Sequence, residues 1–186
     1  MDSARAKVLL DLLESTSDAN ANWQIWWAIA NRAKPKLLTN MNRYPDFFRA
    51  TERAHFNGIF INLAHLFDRR ADASSIERYL KLASTPFSSS EKKIIRDRLG
   101  KFQLVREGVL EIRNRLIAHK NIGLTERQVF LQAKLTPRQI GHLLSESVQI
   151  VDSFAERENS VNRVYRGDFL VDATLDLINT LEPHDA

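Results

Sequence analysis

Between residues 92 and 120 the apolar side chains Ile95, Leu99, Phe102, Val105, Val109, Ile112 and Leu116 recur every three or four positions. That interval follows the turn of an α-helix and not the alternation of a strand. It predicts one helix of about thirty residues, opened by a capping box in which Ser88 is followed at the third position by Glu91. His119 falls one turn beyond Leu116 on the same line, so it is expected to face a neighbouring helix instead of bulk water. Two readings share that position: a core histidine with its hydrogen bonds met, or a site at a seam between subunits. The sequence leaves both open.

A helix this long and apolar on one side needs other helices to cover it, and the remaining segments supply them. Residues 3–16 carry Val8, Leu9, Leu12 and Leu13 on one side. The cluster Ser15-Thr16-Ser17-Asp18 is expected to weaken or break that helix, and Asp18 can cap a second one to about Ala33, before Pro35. Trp23, Trp26, Trp27, Ile29 and Ala30 cover a wide arc of it, a pattern better suited to burial than to base stacking. Lys34 to Tyr44 reads as a connector. Pro45 opens a helix to about Arg70 that buries Phe48, Phe56, Ile59, Phe60, Leu63 and Phe67. On another side of this helix His55, Gly58, Asn62, His65 and Arg69 form a polar row, whose glycine suits the close approach of another element or a ligand.

Further along, Ser74 with Glu77 makes a capping box for a short helix to about Ala83. Asn121 to Leu135 reads as a loop, with Gln128 to Gln132 briefly extended. Thr136-Pro137-Arg138-Gln139 starts a helix that packs Ile140, Leu144, Val148, Val151 and Phe154. Asp168 caps a last helix carrying Leu170, Ala173, Leu177, Ile178 and Leu181, and residues 182–186 form a loose tail. Strands are almost absent. The expectation is an all-α bundle of about six to seven helices in a single domain over residues 1–186.

Composition narrows the function classes. With 44% hydrophobic and 27% charged residues this is an ordinary globular chain, and the absence of cysteine removes disulfides and thiolate metal sites. His55, His65, His119, His142 and His184 make no compact ligand pattern, so neither a metal nor another cofactor is expected. Asp11 and Glu14 interrupt the first apolar run, which therefore fails as a secretory signal, and no stretch is long enough for a membrane span. A cytoplasmic location fits. The formal charge is +4, yet residues 92–120 alone carry nine basic and three acidic side chains, leaving the remainder slightly negative. Positive charge gathered on one helix favours a polyanion such as RNA, although a solvated face that serves solubility gives the same count.

The end of the long helix reads Leu110-Glu111-Ile112-Arg113-Asn114-Arg115-Leu116-Ile117-Ala118-His119-Lys120. An Arg, then a polar residue, then a His with five residues between Arg and His resembles the signature of the HEPN superfamily (higher eukaryotes and prokaryotes nucleotide-binding domains). Leu66-Phe67-Asp68-Arg69-Arg70, at the end of the helix before it, resembles the AbiU-like abortive-infection branch of that superfamily. Elementary chemistry agrees with these residue types. Cutting RNA without a metal takes a group that accepts the 2′-hydroxyl proton and a cation that stabilises the phosphorane. His119 suits the first role and the planar fork of Arg113 the second. Asn114 would orient a phosphate or the imidazole, with Arg115 in support, and His65 and Asp68 are auxiliary candidates.

Residues six apart on an α-helix lie roughly 120° apart around the axis and about 9 Å along it. Arg113 and His119 of one chain therefore do not converge on one phosphate, whereas two-fold pairing of two such helices brings them together. The resemblance implies that arrangement, a homodimer through the motif helix with a composite site. It further implies a metal-independent endoribonuclease that leaves a cyclic phosphate, in host defence or a toxin–antitoxin type system, working beside a minimal nucleotidyltransferase. A non-catalytic HEPN-like module that binds RNA, a nucleotide or a protein partner is the alternative. One tension is visible: the free carbonyls at a helix end favour protonated His119, while Arg113, Arg115 and Lys120 favour the neutral base that catalysis needs.

Overall fold

A computed structural model describes residues 3–31, 35–83, 87–118, 126–164 and 169–181. Among these residues there are nine α-helices, one π-helical segment and no strand. In chain order they are α1 (Ser3–Asn31), α2 (Pro35–Met41), α3 (Pro45–Leu66), α4 (Ile76–Leu82), α5 (Ser89–Gly100), α6 (Gln103–Ile112) continuing into the π-segment Arg113–Ala118, α7 (Glu126–Gln132), α8 (Pro137–Arg157) and α9 (Phe169–Thr180).

The helix α1 is the axis of the bundle, lying along α3 and touching α4, α8 and α9. It runs unbroken through the Ser-Thr-Ser-Asp cluster that was expected to weaken or break it. The reason is local: Thr16 is fully buried and its hydroxyl donates to the Leu12 carbonyl oxygen at 2.7 Å, one turn back. A hydroxyl satisfied inside its own helix has no need to end it. Val8, Leu9, Leu12, Leu13 and Trp26 then enter one main core with Ile59, Phe60 and Leu63 of α3 and Ile140, Val151 and Phe154 of α8. Ile29, Leu37, Phe48 and Ile178 form a smaller core where α1, α2, α3 and α9 meet.

Where the polar row of α3 passes α1, the glycine is required. A Cβ on Gly58 would stand 2.6 Å from the Asn22 side chain, and that amide oxygen bonds His55 Nδ1 at 2.8 Å. The approaching element is α1. Burial there holds the His55 imidazole below its ordinary pKa.

Other departures from the sequence reading also have causes. The expected thirty-residue helix is kinked between α5 and α6: after the weak helix former Gly100, the Lys101 and Phe102 N–H groups bond Arg98 and Leu99 carbonyls three residues back. The core line survives the kink, since Ile95, Leu99, Val105, Val109 and Ile112 are all buried. The connector after residue 34 contains α2, and the segment expected to be extended is the helix α7, whose Phe130 packs against Trp26, Phe56 and Phe60. Tertiary packing of that ring decides a short segment that local propensity leaves undecided. At α4 the cap is Ser75, which accepts from Arg78 N–H, while Ser74 donates instead to Asp11 on α1 at 2.6 Å. Both Ser88 with Glu91 and Thr136 with Gln139 form complete capping boxes. On α9, Leu177 is exposed and Val171 takes the buried position. The expected Asp168 cap and the tail at 182–186 lie outside the described residues.

Candidate functional site

The site is built where α3 ends beside the end of α6. Helix α3 stops at Leu66 and not at Arg70, because the Asp68 carboxylate takes over the next backbone donor. Its Oδ1 accepts from Arg70 N–H at 2.9 Å, the side-chain-to-backbone turn that aspartate makes two residues ahead of itself. Arg70 Nε donates to the same carboxylate at 3.2 and 3.1 Å. Asp68 is only 8% exposed, so its charge is held by partners and not by water. The backbone bond from Arg70 is the largest influence that holds its carboxyl below the usual carboxylate range, with the guanidinium groups of Arg70 and Arg113 acting in the same direction.

Arg113 reaches this carboxylate from the other helix, with Nη2 3.5 Å from Asp68 Oδ2. Its side chain is 31% exposed. Since a guanidinium carries five N–H donors, one nitrogen turned to Asp68 leaves most of the fork for an anion. Two segments 45 residues apart in sequence, each chosen for its own motif, thus meet in one ion pair. Around them opens a cleft of about 630 Å³ lined by Asp68, Arg69, Arg70, Glu107, Leu110, Glu111, Arg113 and Asn114.

The other candidates fall as follows. Asn114 is exposed and lines the cleft. Arg115 is drawn to Glu111 one turn back at 3.2 Å. His65 is exposed and opens onto a different, acidic cleft of about 410 Å³ shared with Asp11, Glu14 and Asp18, so the structure joins Asp68 but not His65 to Arg113. His119, with Lys120, lies outside the described residues.

Over Arg113–Ala118 the helix is π-helical, a widened turn whose bonds characteristically run five residues back, while Arg113 N–H itself still bonds the Leu110 and Val109 carbonyls. The α-helical spacing expected after Arg113 is therefore not kept over Arg113–Ala118. One residue inserted into a helix turns everything after it by roughly 100°, and single π-turns recur at functional sites. Nothing in the residue types Arg-Asn-Arg-Leu-Ile-Ala announces a π-turn. The segment packs against α3, so the tertiary contact, not propensity, accompanies it. The sequence reading also passed over Arg106, Glu107 and Glu111 as site residues, treated Arg70 only as a motif letter, and placed Arg69 in the polar row of α3 without assigning it to the site. The doublet beside a buried aspartate was the available signal.

The profile of the family HEPN_AbiU2, described as AbiU2, matches residues 3–157. It covers α1 to α8 together with both segments that meet at Arg113, and α9 lies outside it. No curated protein and no solved structure matches the chain. A match over this share of the sequence, on an all-helical fold, settles the relationship: the chain belongs to the HEPN AbiU2 family, the AbiU-like branch of the HEPN superfamily.

Proposed function

We propose that the protein is a metal-independent endoribonuclease of an abortive-infection or toxin–antitoxin type system, acting as a homodimer with a composite Arg113/His119 site. The observation that carries this reading is the Arg113 guanidinium, oriented by buried Asp68 at the mouth of an open cleft with donors to spare. His119 accepts the 2′-hydroxyl proton, and the 2′ oxygen attacks phosphorus. The bond to the 5′ oxygen breaks, that oxygen takes a proton from water, and a cyclic phosphate is left. Arg113 stabilises the charge on the non-bridging oxygens, and Asn114 orients the phosphate. Asp68 is a positioning residue here: it keeps the fork extended.

Pairing along the motif helix is supported by unburied apolar side chains on it. Leu104 of α6 is 80% exposed and Ile94 of α5 is 59% exposed. Single exposed apolar residues are common, but two on a helix whose opposite side is already core give a second copy something to cover. The family points to a minimal nucleotidyltransferase as the protein partner to seek beside it.

The test uses two inactive variants together. Wild-type protein is expected to cut labelled RNA in EDTA, while Arg113→Ala and His119→Ala each abolish cutting with thermal melts near wild type. A site built across a two-fold axis takes Arg113 from one subunit and His119 from the other, so one site of each mixed dimer is intact. Equal mixing of the two variants should then restore about a quarter of wild-type activity. A mixture that exchanges subunits and stays inactive refutes the composite site, and wild type that leaves RNA uncut refutes the nuclease.

A further inference from the structure

Behind the motif cleft lies a second cavity, of about 510 Å³, between the α3–α4 turn, α4, α5 and α6. Its charged lining is Arg69, Arg70, Arg78, Lys81, Arg96 and Arg106 against Asp68 and Glu77. Six cations facing two carboxylates leave an excess of four, as large as the formal excess of the entire chain. The two carboxylates are already engaged, Asp68 with Arg70 at 3.0 Å and Glu77 with Arg96 at 2.9 Å. Among the described residues Arg69, Arg78, Lys81 and Arg106 have no carboxylate at ion-pair distance.

Arg106 is the most telling of the four. It is half-buried, with its guanidinium 4.9 Å above the Phe67 ring and Nη1 at 3.5 Å from the Leu99 carbonyl oxygen, at the limit of a bond. Its Nε is buried and has no hydrogen-bond partner among the described residues. Burial, reinforced by the neighbouring Arg69 charge, weakens its hold on its proton. A fold that keeps an arginine desolvated beside other arginines, with no anion of its own, is electrostatically incomplete.

We propose that this cavity holds backbone phosphates of the RNA strand next to the group bound at Arg113, with Arg106 as the anchor. Three features select phosphate over an acidic protein or a membrane surface. Five of the six cations are arginines, whose forks match phosphate oxygens. Arg106 sits half-buried in a concavity with Arg69, Arg70, Lys81 and Arg96 exposed around it, so a strand can reach it where a flat headgroup layer does not. The cavity shares Asp68, Arg69 and Arg70 with the motif cleft, so a strand leaving Arg113 passes directly into it. The proposal rests on the nuclease reading for the position of the scissile group, though not for binding itself. It also moves the nucleic-acid surface away from much of the basic stretch at 92–120, since Lys92, Lys93 and Lys101 lie outside the cavity and Arg98 is taken up by Glu146.

The experiment measures binding of a fluorescent 2′-O-methyl oligonucleotide, which cannot be cut, as salt is varied. Arg78→Gln with Lys81→Gln removes two cavity charges; Lys92→Gln with Lys93→Gln removes two elsewhere. Each phosphate contact on a single strand contributes about 0.7 to the slope of log affinity against log salt. The cavity variant should therefore lose about 1.4 of slope and bind at least about tenfold more weakly in low salt, with the control near wild type. Arg106→Lys, which keeps charge and loses the fork, should weaken binding without changing the slope. Equal losses in both double variants, or none in either, overturn the cavity. So does a poly-glutamate peptide that binds more tightly than the oligonucleotide and depends on Arg78 and Lys81. Cutting of ordinary RNA is followed in parallel: cavity variants that bind and cut like wild type refute the cavity alone, whereas cavity-dependent binding without any cutting refutes the nuclease alone.

Discussion

Replacing Asp68 with asparagine tests whether one buried charge joins the two halves of the site. Asn keeps the shape and an acceptor for Arg70 N–H, so the turn can persist, but a charge-assisted bond becomes a neutral one. Charged hydrogen bonds contribute about 1.5–3 kcal/mol and neutral ones about 0.5–1.5. The ion pair with Arg113 adds less than about 1 kcal/mol, because that side chain is partly exposed. The side-chain pair with Arg70 adds little, because that guanidinium stands in solvent. The expected loss is about 1–2 kcal/mol, or a fall in Tm of about 2–8 °C for a chain of this length. Its pH dependence has a definite sign. The folded-state carboxyl is held below its ordinary value of 3.8, so the stabilisation is complete above that value and disappears as pH falls through the lower folded value. Urea titrations of wild type and Asp68→Asn should differ by a constant amount from pH 7 to about 5 and converge below about 4. A double-variant cycle with Arg113→Gln should give a coupling below about 1 kcal/mol. A gap that widens in acid, or a variant as stable as wild type at pH 7, refutes the assignment of Asp68 as the charged hinge.

Three further predictions concern the scaffold. Gln24 is buried with both amide atoms lacking a hydrogen-bond partner; the near-isosteric Gln24→Leu removes a cost of about 1–3 kcal/mol and should raise Tm, and a lower Tm in calorimetry would contradict it. A Cβ on Gly108 would stand 2.7 Å from Leu135 Cδ1, a buried side chain; Gly108→Ala should cost about 1–3 kcal/mol by overpacking in a urea titration, and no loss would mean that Leu135 yields freely. Thr136→Ala removes the capping hydroxyl that accepts from Gln139 N–H at 3.3 Å and should cost about 0.5–2 kcal/mol; a Thr136→Ser variant that is equally destabilised would contradict the capping account.

The fold was legible wherever a period of three or four ran for several turns, as in α3, α8 and the core line through α5 and α6. What failed were boundaries governed by one side chain. Thr16 looked like a breaker because hydroxyls compete for backbone groups, but the same hydroxyl donating to Leu12 lets α1 continue. Asp68 looked like a late helix residue, and ended α3 by capturing the N–H of Arg70. Gly100 lies inside the predicted long helix, and marks its kink. In each case the residue type permits two outcomes, and a single hydrogen bond or contact decides between them.

The site shows a different limit. Arg113, Asn114 and Asp68 could be named from sequence because each belongs to a recognisable string, but the strings say nothing about which members touch. His65 and Asp68 are three residues apart and both line the acidic cleft beside α1, but only Asp68 also reaches Arg113. The charge count meets a related limit. Summed along the chain, it assigned the positive surface to residues 92–120; folded, Arg98 of that run is neutralised by Glu146, while Arg69, Arg78 and Lys81 from earlier in the chain gather round Arg106. Net charge along a sequence measures how much attraction for a polyanion is available, and pairing in three dimensions determines where it acts. If the proposed RNA binding holds, the cations left without carboxylates, and not the most basic stretch, are therefore the ones whose removal should weaken it.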